Sequence, residues 1–340
     1  MTEAAPQRLS AEAAAFVQNV REMGTAFQAS RVLLTAVELE LFTVLHDERR
    51  TSHEVAEALG TNPRATDRLM NALVALGLLH KRNGWFSNTS FGAQFLVKGN
   101  PDYLAGLAHS NNLWDTWSAL TDAVREGKPP EVRRVSERHE QWLRAFIAAM
   151  HWRARQVAAT VVGLIDLKGV SRVLDVGGGS GAFSMEFVRA RSGVTAVVFD
   201  LPQVVPLSRG YIQAAGFGAQ VEVVAGDYTH DELGRGFDLA FLSSIVHSNS
   251  SDANRHLIRK AADALNPGGR VVVLDSLMNE DRSGPLASAL FAINMLVVTE
   301  AGDTYTASEV HAWMIDAGLA DISRVDTPFG TSLMIGRGHG

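Results

Sequence analysis

The residues in this chain best suited to chemistry are a run of glycines, a few carboxylates and a histidine, each just past a short Val-rich segment. Val173–Leu174–Asp175–Val176 leads into Gly177–Gly178–Gly179–Ser180–Gly181–Ala182. An apolar strand thus gives way to bare backbone, where a ligand can approach main-chain N–H groups as a helix begins. Read as Gly177-x-Gly179-x-x-Ala182, with Asp200 ending the next strand, the turn also meets a dinucleotide fingerprint. Asp200 lies in Phe199–Asp200–Leu201–Pro202 and Asp227 in Gly226–Asp227–Tyr228. Either carboxylate alone would be read as a turn or helix cap. Two at neighbouring strand ends suit a ligand with two separated donor sets, such as ribose hydroxyls and an adenine amino group. An acidic rim also fits a cationic cofactor better than a pyrophosphate, which needs donors and positive charge.

On the same rim, His247 follows Phe241–Leu242–Ser243–Ser244–Ile245–Val246. A group titrating near neutrality there can take the proton of a phenol or similar hydroxyl as its oxygen attacks an electrophile. His151, in Ala149–Met150–His151–Trp152, is a second candidate, on a helical face where packing is the ordinary role. Other chemistries fail on inspection. There is no G-x-x-x-x-G-K-[ST] phosphate loop, and Ser180 has Ala182 where a nucleophile elbow needs glycine. His53–Glu54 and His139–Glu140 lack the second histidine of a zinc-protease helix, and without cysteine there is no thiolate ligand or nucleophile. No metal is expected.

These residues need a doubly wound parallel sheet to bring them together. Strands are predicted at Ser171–Val176, Thr195–Asp200, Val221–Ala225, Phe237–Ser243 and Arg270–Ser276, with helices in the gaps and a last helix at Ser308–Ala317. Two further strands, Ile322–Val325 and Ser332–Gly336, have too little between them for a crossover helix, so they should form an antiparallel edge. Before residue 170 the pattern is helical, with apolar residues at Phe16, Val20, Phe27 and Leu34 and a long helix from Gln141 to Leu167. Glu126–Pro130 reads as a loop. Residues 51–88 read as a winged helix: one helix from Thr51 or Ser52, a second from Pro63 to Leu76, then a hairpin turning at Asn83–Gly84. DNA binding is the obvious function for such a unit. However, Lys+Arg and Asp+Glu balance over residues 1–100, whereas a DNA-binding domain is plainly basic. A scaffold role fits better.

Composition sets the outer limits. The 340 residues exceed one ordinary core, 46% hydrophobic and 20% charged residues are globular values, and a net charge of −6 gives no general attraction to nucleic acid or anionic membrane. Neither a signal-like start nor an eighteen-residue apolar run is present, so a cytoplasmic protein is expected.

With these motifs in this order, the chain resembles the S-adenosylmethionine-dependent small-molecule O-methyltransferases of plant caffeate and flavonoid type, in their bacterial natural-product branch. The resemblance runs from about residue 15 to about residue 337. It rests on Asp175–Gly181, Phe199–Pro202, Gly226–Tyr228 and Asn266–Asp275 together with the winged helix. It implies a winged-helix dimerisation domain (1–105), a helical region lining the substrate pocket (106–168) and a Rossmann-like cofactor domain (169–340). It also implies a homodimer through the amino-terminal helices, with each chain contributing to its partner's pocket, and S-adenosylmethionine as cofactor, with no metal. Gly177 would approach the methionine part, Asp200 would hold the ribose hydroxyls and Asp227 with Tyr228 would flank the adenine, with Asp175, Gly179, Leu201 and Gly226 also in the cofactor site. Ser243 and Ser244 would complete the cofactor site. His247 matches the base and Asp275 the acid that orients it.

The sequence departs from the family pattern in two places. His247–Ser248–Asn249 stands where the family has His-Asp-Trp, and Thr304 stands where a second orienting acid is expected, with Glu300 and Asp303 close by. The acceptor expected is a small aromatic hydroxyl, in a pocket drawn from Phe146, Met150, His151, Phe291, Asn294, Met295 and Thr299. Rival readings are an enzyme of the same fold that binds the cofactor without transferring methyl, and a metabolite-sensing DNA-binding regulator.

Overall fold

A computed structural model describes residues 10–129 and 139–339. The start of the chain over residues 1–9 and the end of the expected loop at Pro130 lie outside the described residues. The chain divides into two compact units, Met1–Asn111 and Asn112–Gly340.

The first unit comprises α1 (Ala11–Thr25), α2 (Phe27–Glu38), α3 (Leu41–Leu45), β1 (Arg50–Thr51), α4 (Ser52–Leu59), α5 (Pro63–Ala75), β2 (Leu79–Arg82), β3 (Trp85–Asn88) and α6 (Ser90–Leu96); α7 (Gly106–Asn112) closes it. Local chemistry sets the winged-helix segment. The Thr51 side chain accepts from Glu54 N while Glu54 reaches back to Thr51 N, a complete capping box at the start of α4. Asn62 caps α5, with Pro63 at its first position. Asn83 and Gly84 both have positive φ, 52° and 82°, as the tight turn between β2 and β3 requires. Phe42, Leu45, Met70, Leu73, Leu79 and Phe86 fill the core between these elements. By contrast α1 has no buried residue, and Phe16 is 69% and Met23 64% exposed.

The second unit carries α8 (Trp114–Ser118), α9 (Leu120–Glu126), α10 (Glu140–Gly163), β4 (Arg172–Val176), α11 (Ala182–Ala190), β5 (Thr195–Asp200), α12 (Val205–Ala214), β6 (Val221–Ala225) and β7 (Phe237–Ser243). A 3₁₀ turn at Val246–Ser248 follows, then α13 (Ser251–Asp263), β8 (Leu265–Asp275), α14 (Leu286–Val298), α15 (Ala307–Asp316), β9 (Ala320–Asp326) and β10 (Ser332–Arg337). The strands form one sheet in the order β6-β5-β4-β7-β8-β10-β9. The pairs from β6 to β8 are parallel, and β10 runs antiparallel to both β8 and β9, the edge expected from the short final connection.

Both faces of the sheet are covered, which is why its strands read as near-continuous apolar runs. Alternate residues point opposite ways. Val173, Val198, Phe241 and Val272 pack with Val161 of α10, Phe187 of α11 and Ile212 of α12. Leu174, Val197, Leu242 and Val273 pack with Ile258 of α13 and Trp313 of α15. The chain order reverses between β4 and β7. Open α/β sheets bind ligands at the carboxyl ends of the strands beside such a reversal.

Candidate active site

Strand ends build this site. Gly177–Gly181 follows β4, Asp200 ends β5, Asp227 follows β6, the 3₁₀ turn with His247 follows β7, and Asp275 ends β8. Gly177, Gly179 and Gly181 all have positive φ (66°, 57° and 74°), where a side chain would strain the backbone. A Cβ on Gly177 would also stand 2.5 Å from the Ile245 side chain, and one on Gly226 would stand 2.2 Å from the ring of Phe199. A side chain at either point would force Ile245 or Phe199 to move.

Asp200 is fixed by main-chain donors: Gly179 N–H to Oδ2 and Leu201 N–H to Oδ1, each at 2.7 Å. Each oxygen keeps a further acceptor position for a ligand hydroxyl. Burial holds this carboxyl up at about 6. Asp175 lies beneath the glycine turn, 1% exposed. It accepts a 2.7 Å hydrogen bond from Ser184 at Oδ2, while its buried Oδ1 has no partner among the described residues. Desolvation, then the hydrogen bond from Ser184 acting against it and the nearby Asp200 charge, leave its pKa at about 7. Asp227 accepts from Thr229 N and Oγ1 at 2.9 and 2.6 Å, an Asx turn that sets its loop. Tyr228 donates its hydroxyl to Asn249 Oδ1 at 2.9 Å, and burial pushes its pKa up to about 12. Ser243 ends β7 half-buried, and Ser244 is exposed with φ of 54°. A glycine-lined floor with fixed acceptors at Asp200 and an unsatisfied carboxylate oxygen at Asp175 fits a nucleoside joined to a cationic group. Among the described residues no three His, Cys, Asp or Glu side chains gather as metal ligands would.

Sheet register brings the histidine and its acid together. Ser243 pairs with Leu274, so Asp275 stands one residue beyond, beside the turn that carries His247. His247 Nδ1 lies 2.9 Å from both Asp275 oxygens, and His247 N–H reaches Oδ2 at 3.3 Å. Asp275 is 3% exposed. A carboxylate can only accept, so Nδ1 carries a proton and donates it to Asp275. Phe291 of α14 meets the imidazole edge-on at 4.7 Å. Thr304 is completely buried and its hydroxyl has no hydrogen-bond partner among the described residues, so it is not bonded to the imidazole. Asp303 bonds Arg282 through its carboxylate at 3.0 Å, and Glu300 is exposed. Asp303 supports the histidine by another route, its N–H donating to His247 O at 3.0 Å.

The residues drawn for the acceptor pocket are placed unequally. Phe146 stacks on Trp142 at 5.2 Å, and Met150 is half-buried on the same helix, α10. His151 meets the glycine turn instead: Nδ1 is 2.8 Å from Ser180 Oγ, and the ring stacks on Tyr211 at 4.1 Å. Desolvation, then nearby Arg155, lowers its pKa to about 4, so it is neutral at pH 7. Asn294 accepts from the Trp117 indole at 2.9 Å. Met295 is buried. The Thr299 hydroxyl donates to Met295 O at 2.7 Å and accepts from Gly302 N at 2.9 Å, so it caps the turn after α14.

Two further positions hold the site together in ways the sequence did not show: Asn249, noted there only as a departure from the family pattern, and Gly302. Asn249 accepts from Tyr228, donates to Asn254 Oδ1 at 3.2 Å, and receives the Tyr305 hydroxyl on its carbonyl at 2.5 Å. A polar latch thus occupies the place where the family pattern has tryptophan. Gly302 backs directly onto the histidine turn, since a Cβ there would stand 2.4 Å from His247 O. A glycine two residues before the expected acid position was the available signal.

The family model for the O-methyltransferase domain matches residues 117–320, and that for the O-methyltransferase dimerisation domain matches residues 22–98. The chain is 35% identical over 314 residues to a 3-hydroxy-5-methyl-1-naphthoate 3-O-methyltransferase of Streptomyces sahachiroi, covering 89% of this chain and 90% of that one. It is 30% identical over 326 residues to the tetracenomycin polyketide synthesis 8-O-methyl transferase TcmO of Streptomyces glaucescens, covering 94% and 96%. Among solved structures, PigF with SAH aligns at a TM-score of 0.88 and 26% identity, covering 94% of this chain and 99% of that one. Human N-acetylserotonin methyltransferase in complex with SAM aligns at 0.83 and 26% identity over the full length of both.

Proposed function

The chain belongs to the S-adenosylmethionine-dependent O-methyltransferases, and we propose that it methylates a hydroxyl of a small aromatic, polyketide-like metabolite with His247 as the base. The acceptor class is supported by the two Streptomyces relatives, named for a hydroxynaphthoate and a tetracenomycin polyketide. The observation that carries the base is the double grip of Asp275 on His247 Nδ1, 2.9 Å to each oxygen. It fixes one tautomer and leaves Nε2 able to accept a proton.

In this reading Asp200 holds the ribose hydroxyls, Gly177 and Gly179 let the methionine part approach the backbone, and Asp227 and Tyr228 flank the adenine. When bound, the cofactor supplies a methyl group already activated on a sulfonium sulfur. The protein's task is then alignment of the acceptor oxygen and removal of its proton. His247 Nε2 takes that proton, and Asp275 stabilises the imidazolium that results. Phe291 packs the ring edge so that it does not turn. The protein works as a homodimer, with the exposed apolar face of α1 covered by a second chain, a reading that the dimerisation domain supports.

Single-turnover methyl transfer to a panel of phenols and hydroxynaphthalenes tests the reading. His247→Ala should lower the rate by roughly two to four orders of magnitude with S-adenosylhomocysteine affinity unchanged. Asp275→Asn should fall by a comparable factor. A full rate in His247→Ala would remove the base assignment.

A further inference from the structure

Asn294 lies on α14 one turn beyond Phe291, the residue whose ring touches the imidazole of His247. Residues three apart on a helix are neighbours on one face. The amide is held by Trp117 of α8, whose indole Nε1 lies 2.9 Å from Asn294 Oδ1, with both side chains partly buried. An indole nitrogen has a hydrogen to give and nothing to accept with. The amide end facing it must therefore be the oxygen, since the inverted amide would set N–H against N–H. Amide oxygen and nitrogen are ordinarily told apart only by their partners, and here the partner permits one answer. The NH2 group is the end turned away from Trp117.

We propose that Trp117 locks Asn294 as a hydrogen-bond donor toward the acceptor, and that this selects aromatic hydroxyls flanked, on the adjacent or peri carbon, by a carbonyl oxygen. The inference rests on the methyl-transfer reading above and narrows its substrate class. It gives Asn294 a role in specificity, and makes Trp117 a positioning residue that acts through it. Once a substrate covers this partly buried amide and excludes water, its N–H needs an acceptor, and a substrate that offers none leaves it unpaired. Sites built around such a bond discriminate strongly against analogues that lack the matching group. The donor also has a chemical use. A flanking carbonyl ties up the hydroxyl proton in an internal hydrogen bond, and an N–H donated to that carbonyl weakens the tie, freeing the proton for His247.

The test uses the full chain with S-adenosylmethionine and two matched pairs of acceptors: 1-hydroxyanthraquinone against 1-hydroxyanthracene, and 2-acetyl-1-naphthol against 1-naphthol. The quantity read is the ratio of kcat/KM within each pair, for wild type, Asn294→Leu, Asn294→Asp and Trp117→Phe. Comparing ratios between variants cancels the intrinsic reactivity of the acceptors. Relative to wild type, the preference for the carbonyl-flanked member should fall roughly ten- to a hundredfold in Asn294→Leu, with the unflanked member little changed. Asn294→Asp keeps an acceptor for Trp117 but offers no N–H to substrate, so it should lose the preference equally. Trp117→Phe frees the amide to turn and should lose part of it. Affinity for S-adenosylhomocysteine should stay constant throughout, which shows that the variants are folded. Acceptor binding in the presence of S-adenosylhomocysteine, by calorimetry, separates this idea from the reading beneath it. Tighter binding of the flanked members that Asn294→Leu abolishes supports the donor role even if no methyl is transferred. Equal loss for both members of a pair, or no preference in wild type by either readout, overturns it.

Discussion

Replacing Thr304 with valine asks whether the histidine is held by one acid or by more. The Thr304 side chain is 0% exposed, and its Oγ1 has no hydrogen-bond partner among the described residues. A buried hydroxyl without a partner costs about 1–3 kcal/mol by comparison with protein mutants. Valine has nearly the same shape and no hydroxyl, so Thr304→Val should stabilise the second unit by about 1 kcal/mol, the low end of that range. For a unit of this size such a gain raises the melting temperature by about 2–4 °C. The single-turnover rate should remain within about twofold of wild type, because both Asp275 oxygens already grip Nδ1. Differential scanning calorimetry and rapid-quench methyl transfer on the same preparation give both numbers. A fall in melting temperature accompanied by a rate loss of tenfold or more would refute the reasoning. The hydroxyl would then be bonded in the working enzyme, and Asp275 would not be the sole orienter. Thr304→Asp should act in the opposite sense on the base. A second carboxylate favours the imidazolium, so the acidic limb of the kcat/KM profile should move to higher pH.

Other expectations follow from the same geometry. Burial places the Asp200 carboxyl at about 6, and its protonation removes an acceptor. Affinity for S-adenosylhomocysteine should therefore be level above pH 7 and weaken as the pH falls through 6, by up to about tenfold per unit; calorimetry from pH 5 to 8 showing no slope would contradict this, and Asp200→Asn should flatten the profile while weakening binding throughout. Asn249→Leu removes the latch between Tyr228 and Asn254. It should raise the KM for S-adenosylmethionine severalfold and lower kcat as well, whereas Tyr228→Phe, which leaves the bond to Asn254, should lower kcat less. Replacing Phe16 and Met23 with glutamine together should turn a dimer into a monomer in sedimentation velocity, since α1 exposes both; an unchanged dimer would place the contact elsewhere.

Much of the second unit could be read from sequence because its strands are covered on both faces. Apolar runs such as Val173–Leu174 and Ala196–Val197–Val198–Phe199 leave little choice of element. The boundary at β8 was harder. The strand was expected from Arg270, yet β8 begins at Leu265, because Leu265 already pairs with Phe237 across an irregular register and Asn266 bonds Asp238 at 2.8 Å. The pairing of His247 with Asp275 was implied by the family resemblance, and the two meet because they stand at the ends of adjacent strands. The polarity of Asn294 was not, since it depends on Trp117, 177 residues away in the chain. The same holds for His151. Helical periodicity marks a face but does not name what the face meets, and here it meets Ser180 and Tyr211.

Under the proposed base assignment, a single orienting acid would suffice because the main chain around the histidine is itself held. His247 N–H reaches Asp275, His247 O accepts from Asp303 N at 3.0 Å, and Val246 O accepts from Asn254 Nδ2 at 2.8 Å. Asn254 is fully buried, so that last bond is shielded from competing water. Gly302 lies against the same turn with no room for a side chain. A second carboxylate would add two things, orientation and negative charge. Orientation is already supplied by these backbone contacts, by Phe291 on the ring edge and by both oxygens of Asp275. A second negative charge is not, because Thr304 adds none to that of Asp275 when the proton arrives. In the proposed reading, Thr304 therefore withholds a charge without loosening the geometry of His247, and pH profiles will reveal that more clearly than any structure of the resting site.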